Sequence, residues 1–220
     1  MSMDEEGFLS VGSENTQLTW MDASVNGQPA TSRYGCPVEI MSLWYNALVF
    51  DKELAELLDD GRTVNIDLDQ MRESFVRRFW LEEENYLADV WRDDFVDKSL
   101  RPNQLFAVGL PYAILDGKYH KQLVMKVKKH LLTPYGMRTL APDSLGYHSH
   151  YRGSHEERDA SYHQGTVWPW LLGIYTESLL KATKYNKTEI KSLLKTVTPL
   201  YSKHLTEAGV GSISEIFDAE

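Results

Sequence analysis

The sequence predicts an all-α protein built from three pairs of helices in two layers. Six segments show the helical spacing of apolar residues. They alternate between segments that are apolar nearly all round and segments with a single apolar stripe. Strand signals are weak, because the alternating run at residues 62–66 is too short to indicate a strand. A buried helix followed by a surface helix, three times over, indicates a two-layer stack of helical hairpins.

The first pair of helices is expected over residues 38–58 and 68–83. The first half of residues 38–58 is apolar nearly all round, as in a helix surrounded by protein. The second segment is one-sided, which is typical of a helix with one face in water. Its apolar stripe consists of Leu68, Met71, Phe75 and Phe79.

The same alternation continues through the other four helices. We expect inner helices over residues 103–115 and 168–180, and outer helices over residues 120–132 and 188–205. Gly209 follows the last pattern, at a position where glycine often ends a helix. Two prolines inside these patterns should kink or shorten their helices. They are Pro111 and Pro199.

Long loops lead into each inner helix, over about residues 19–37, 85–102 and 134–167. Long ordered loops in a compact protein are usually functional, and this topology brings all three out on the same face. The loops combine aromatic, acidic and basic residues. Sugar binding uses this mixture, because aromatic rings stack on pyranose rings while charged and amide groups bind hydroxyls.

Composition and charge exclude several classes of function. The formal net charge of −9 argues against a nucleic-acid partner, because phosphate binding needs a basic face. A single cysteine, no visible signal peptide and no long apolar stretch predict a cytoplasmic protein that does not enter a membrane. The sequence also predicts no metal and no cofactor, because no zinc-like ligand spacing and no nucleotide-binding glycine loop is present.

Two carboxyl groups are candidates for glycoside hydrolysis, which needs one protonated and one ionised carboxyl. Asp22 follows Trp20 and Met21, an apolar setting that favours the neutral acid. Glu215 follows a glycine-containing stretch that can bring the chain back over a site. Composition alone leaves other carboxyls open. These are Glu39, Glu157, Asp159 and Asp218.

Six motifs occur in order along the chain from Gly7 onward. They are TWMDA (19–23), the run from Arg33 to Leu48, LRPNQLFA (100–107), LTPYG (132–136), YHQGTVWPW (162–170) and GSISEIFD (211–218). Together they resemble the C-terminal glucosidase domain of glycogen debranching enzymes. One departure is Cys36, where a lysine is expected.

The resemblance implies a fold and an activity. The fold is about half of an (α/α)6 toroid of alternating inner and outer helices, so residues 1–220 form a partial domain truncated at both ends. The activity is hydrolysis of α-1,6-linked glucose in glycogen or limit dextrin, with inversion at the anomeric carbon. By its motif, Asp22 is the general acid and Glu215 the general base. Their carboxyl groups should then lie roughly 6.5–9.5 Å apart.

The resemblance also implies a set of substrate-binding residues. These are Trp20, Arg33, Glu39, Arg101, Asn103, Gln104, His163, Gln164 and Trp168. For Glu39 and Asn103 scaffolding is an equal alternative, because buried polar groups need partners. A half ring should expose the flanks of its inner helices, so we expect self-association there.

Two other functions remain open from the sequence. One is a non-catalytic carbohydrate-binding fragment, which binds sugar without hydrolysis. The other is a helical-repeat interaction protein without a ligand. The second alternative predicts that the three long loops spread apart rather than converge.

Overall fold

The computed structural model describes residues 1–61, 65–207 and 210–220. The run at residues 62–66 lies mostly outside this part of the chain, and Gly209 lies wholly outside it. Helices take up 45% of the described residues and strands 13%. The prediction of an all-α protein forming half of an (α/α)6 toroid is therefore wrong, and the fold is mixed α/β.

Seven α-helices lie within the described residues, among them one that was not predicted. The helices are α1 (Val38–Leu58), α2 (Leu68–Phe79), α3 (Phe106–Gly109), α4 (Gly117–Leu131), α5 (His155–Ser161), α6 (Leu172–Ala182) and α7 (Lys187–Ser202). Short 3-10 helices over Pro102–Leu105 and Pro169–Leu171 lead into α3 and α6. No helix in this part of the chain has both the length and the apolar character needed to cross a membrane.

The predicted helices differ from the observed ones mainly where proline and strands intervene. The bounds of α1 are as expected, but α3 ends at Gly109, six residues before the predicted end of that helix. Pro111 explains this, because proline lacks the N–H that a helix needs and restricts the residue before it. Pro199 lies inside α7, which continues to Ser202.

The amino terminus of α7 is held by a side-chain cap. Asn186 accepts hydrogen bonds from the N–H groups of Thr188 (2.9 Å) and Glu189 (3.2 Å). We expect Asn186→Ala to lower the free energy of unfolding by about 1 kcal/mol, because two helix N–H groups lose their acceptor. Urea denaturation measures this change. Lys191→Ala, at an exposed position of the same helix, is the control and should change stability by less than about 0.5 kcal/mol.

Eleven strands of two or three residues occupy the described loops. They are β1 (Ser2–Met3), β2 (Leu9–Ser10), β3 (Ser24–Val25), β4 (Gln28–Pro29), β5 (Cys36–Pro37), β6 (Trp80–Leu81), β7 (Tyr86–Leu87), β8 (Val90–Arg92), β9 (Phe95–Asp97), β10 (Met137–Arg138) and β11 (Val167–Trp168). All pair antiparallel, in the orders β1–β2, β3–β4, β5–β8–β9, β6–β7 and β10–β11. Strands this short carry no readable alternation, but they satisfy backbone groups that the packed loops would otherwise leave unpaired.

The inner helices lie side by side, with α1 against α3 and α3 against α6. The outer helix α4 packs on α6, and α2 packs on α1. Fully buried side chains from these helices form one core, among them Met41, Phe75, Leu123 and Tyr175. One flank of α1 is not covered: Phe50 is 55% exposed.

The three long loops converge at the amino-terminal ends of the inner helices. Trp20 in the first loop donates its indole N–H to Oδ1 of Asn103, which follows the second loop, at 2.8 Å. Gln164 in the third loop donates to the carbonyl of Ala30 in the first, at 3.2 Å. The predicted convergence is confirmed, which argues against the helical-repeat protein with spread loops.

Candidate active site

An aromatic cluster forms where the loops meet. Its members are Trp20, Tyr162, His163, Trp168 and Trp170. Trp20 meets Trp168 and Trp170 edge-on, with ring centroids 5.5 and 5.1 Å apart. His163 stacks on Trp168 at 5.3 Å, with 15° between the ring planes. These contacts hold the rings in fixed orientations, with His163 and Trp168 buried and Trp170 exposed. Trp170 therefore offers apolar ring surface to a ligand, as aromatic residues of sugar sites do.

A buried ion-pair network underlies the cluster and is centred on Arg33. Its guanidinium binds Glu39 through two hydrogen bonds of 2.5 and 2.6 Å. It binds Asp89 through two more, of 2.6 and 3.1 Å. All three residues are no more than 3% exposed. Burial opposes the charge of Arg33, but the charges of Asp89 and Glu39 outweigh burial and raise the pKa of Arg33 above its usual value.

Asp89 joins this ion pair to the aromatic cluster. Its Oδ1 also accepts a hydrogen bond from Nδ2 of Asn103, at 2.8 Å. The other side of the Asn103 amide accepts from Trp20. A continuous chain of hydrogen bonds therefore connects Arg33 to the indole of Trp20. Because each member is bound on both sides, the network fixes the position of the loop that carries Asp22.

Arg101 provides the second buried cation of the network. It donates to the carbonyls of Thr139 (3.0 Å) and His163 (2.8 Å) and to Oε1 of Gln164 (2.7 Å). The Oδ2 atom of Asp89 lies 3.6 Å from its Nε. Burial lowers the pKa of Arg101. The charge of Asp89 opposes this effect only in part, and the other acceptors of Arg101 are neutral. The positive charges of Arg33 and Arg101 thus balance the negative charges of Glu39 and Asp89 within the buried network.

His163 is buried beside these cations, with 1% of its surface exposed. Neither ring nitrogen has a hydrogen-bond partner within the described residues. Burial, followed by the charges of Arg101 and Arg33, lowers the pKa of His163 to about 3. The imidazole is therefore neutral at physiological pH and acts as an aromatic surface between the rings of Trp20 and Trp168.

The phenol of Tyr162 binds Glu215 directly, and the charge of Asp22 also acts on it. The Tyr162 hydroxyl donates to Oε2 of Glu215 at 2.6 Å. Burial raises the pKa of Tyr162, followed by its hydrogen bond to Glu215 and by the charges of Glu215, Tyr151 and Asp22. Both candidate carboxylates are exposed. The apolar shielding expected for Asp22 is absent, because the neighbouring Met21 side chain is buried in the core while Asp22 itself points to solvent.

The segment that carries Glu215 is held in place by the residues that follow it. Phe217 and Val167 exchange two backbone hydrogen bonds of 2.9 Å. The ring of Phe217 also stacks on Tyr135 at 5.0 Å. Glu215 borders a cleft of about 440 Å³ that is also lined by Trp168 and Trp170. Its volume falls in the usual range for a small-ligand site.

A comparison with known protein families shows to which family this chain belongs. The whole chain, residues 1–220, matches the family model described as amylo-alpha-1,6-glucosidase. The chain belongs to this family. The match confirms the resemblance drawn from the six motifs, and it makes the chain a glycosidase-type domain related to enzymes that act on an α-glucan.

In this member of the amylo-alpha-1,6-glucosidase family, most predicted substrate-binding residues lie beneath the aromatic cluster. Seven are buried, and all of these side chains except that of His163 form hydrogen bonds with neighbouring groups. They are Arg33, Glu39, Arg101, Asn103, Gln104, His163 and Trp168. Gln104, for example, accepts from the N–H of Leu87 (3.1 Å) and donates to the carbonyl of Arg101 (2.9 Å). Sugar contact by the predicted set stays a prediction.

Sequence reasoning missed three members of the site, which are Asp89, Tyr162 and the cleft residue Trp170. Asp89 lies between Ala88 and Val90 in an apolar segment, and a carboxylate there needs a buried cation. The apolar neighbours of Asp89 could therefore have predicted that its carboxylate is buried and paired with a cation. Tyr162 belongs to the motif at residues 162–170, but nothing in the sequence indicates its hydrogen bond to Glu215. Within the described part of the chain, no group of three or more His, Cys, Asp or Glu is arranged to hold a metal ion.

Proposed function

We propose that this chain hydrolyses α-1,6-linked glucosyl residues of glycogen or limit dextrin with inversion of configuration. Asp22 is the general acid and Glu215 the general base. Trp20, Trp168 and Gln164 contact the glucosyl ring. The proposal includes residues 1–220 as one partial glucosidase domain.

The main support is that two carboxylates from opposite ends of the sequence approach one phenol. Asp22 and Glu215 are 193 positions apart in the sequence, yet the charges of both raise the pKa of Tyr162. They border an aromatic cluster that rests on a balanced, buried ion-pair network. A glycoside hydrolase needs such a pair of carboxyls beside ring-stacking surfaces.

In the inverting reaction, each of the two carboxyl groups carries out one proton transfer. Glu215 takes a proton from water, and the water oxygen attacks the anomeric carbon from the face opposite the leaving group. The bond between the anomeric carbon and the glycosidic oxygen breaks, and Asp22 gives that oxygen a proton. One proton thus moves from Asp22 to Glu215, and exchange with solvent restores both groups. The product is β-glucose.

Anomer-resolved proton NMR tests this function. The chain is incubated with a glucan that carries single α-1,6-linked glucosyl stubs, and the first anomer released is recorded. We expect β-glucose from the wild type. Asp22→Asn and Glu215→Gln should each lower the rate by roughly 100- to 10,000-fold, because each removes one proton-transfer group.

Glu56→Gln is the matched control, since it neutralises an exposed carboxylate at the far end of α1 from the site. It should leave the rate unchanged. Release of α-glucose first would contradict the inverting mechanism. Line broadening of the sugar signals without any release would instead identify a carbohydrate-binding fragment.

A further inference from the structure

We propose that Tyr162 is a positioning residue that orients Glu215 as the base. The inference rests on the proposed function and extends it to a residue outside the acid–base pair. It says that the phenol fixes one carboxylate oxygen and leaves the other free to receive the proton of the attacking water.

The hydrogen bond defines the roles of the two oxygens of Glu215. Oε2 accepts from the Tyr162 hydroxyl at 2.6 Å. Within the described residues, Oε1 accepts no hydrogen bond, so its lone pairs are available to accept a proton from water. Glu215 is otherwise exposed, and an exposed glutamate samples several rotamers. A short bond to a fixed partner removes that freedom and holds the free oxygen in one direction.

The phenol can serve as a fixed partner because its ring is held on several sides. Trp168 and His163 each lie 4.9 Å from the ring of Tyr162, measured between centroids. Tyr151 lies 5.3 Å away. The indole N–H of Trp168 also donates to the backbone carbonyl of Tyr162, at 3.0 Å. Three neighbouring rings and one backbone hydrogen bond therefore restrict where the hydroxyl points.

The electrostatic surroundings keep the phenol protonated. The groups that face it are Glu215, Asp22 and Tyr151, and the neighbouring His163 is neutral. Because burial, the hydrogen bond to Glu215 and the nearby negative charges all disfavour a phenolate, Tyr162 remains a donor through the reaction. It does not exchange its proton with the base, so its effect on the reaction passes through the orientation of Glu215.

A double-mutant cycle tests this role in the active chain. Tyr162→Phe keeps the ring contacts and removes only the hydroxyl. We expect kcat to fall roughly 10- to 100-fold with KM unchanged, because the base is misplaced while sugar binding is retained. In the Glu215→Gln background, Tyr162→Phe should lower kcat no further. Tyr185→Phe, which removes a hydroxyl from an exposed tyrosine outside the site, is the matched control and should leave kcat unchanged.

The 13Cζ chemical shift of Tyr162 at neutral pH tests the hydrogen bond without relying on activity. Glu215→Ala removes the charged acceptor and should move this signal clearly, whereas Asp22→Asn should move it much less. An unchanged Tyr162 signal in Glu215→Ala overturns the inference. So does an equal fall of kcat for Tyr162→Phe in the wild-type and Glu215→Gln backgrounds. A wild type that releases no glucose contradicts the proposed function, and the NMR shift then still decides whether Tyr162 binds and holds Glu215.

Discussion

Replacing Arg33 by methionine is expected to lower the free energy of unfolding by about 3–5 kcal/mol. The substitution keeps a long side chain but leaves Glu39 and Asp89 buried without their main cation. Both carboxylates are 1–3% exposed, so water cannot replace the lost bonds. The penalty is therefore that of an uncompensated buried charge rather than that of one lost contact.

Urea denaturation of Arg33→Met and wild type measures this change. Lys203→Ala is the control, because Lys203 forms an exposed pair with Glu207, with side chains 66% and 47% exposed. Exposed pairs contribute about 0–1 kcal/mol, so Lys203→Ala should change the midpoint little. A loss below about 1 kcal/mol in Arg33→Met would show that the network is not the main support of the loops.

The sequence specifies the helices best where the apolar pattern is long and its ends are marked. The pattern and Pro37 together define the start of α1. In contrast, α5 has no apolar stripe, and its start is stabilised by a capping box between Ser154 and Glu157. The strands depend on pairing between distant segments, such as Cys36 with Trp91, and local residue spacing carries no information about such pairs.

Part of the candidate site could be predicted and part could not. The motifs identified residues of the aromatic cluster and of the ion-pair network, because these residues lie within the segments that resemble the family. The motifs did not indicate which of these residues are buried beneath the aromatic cluster. The burial of Arg33 and Glu39 and the exposure of Asp22 follow from packing among three loops. Such packing is set by contacts across the chain rather than by neighbouring residues.

The stability of the fold should depend on pH through His163. The imidazole has a pKa of about 3 in the folded chain, against about 6.5 in an unfolded one. Between these values the unfolded chain binds the proton and the folded chain does not, so acid favours unfolding. We expect the free energy of unfolding to fall by about 1.4 kcal/mol per pH unit as the pH drops below about 6.5, from this residue alone.

Urea denaturation between about pH 5 and 6 measures this slope, in a window above the usual carboxylate pKa values. The pKa values of His120 and His130 are also lowered by burial and steepen the wild-type slope, so the informative quantity is a difference between variants. His163→Phe keeps a ring to stack on Trp168 but cannot bind the proton, so its slope should be smaller by about 1.4 kcal/mol per pH unit. Leu145→Ala, at an exposed side chain without a titratable group, should retain the wild-type slope. Equal slopes in wild type and His163→Phe would mean that the imidazole has access to water or a proton acceptor in the folded chain.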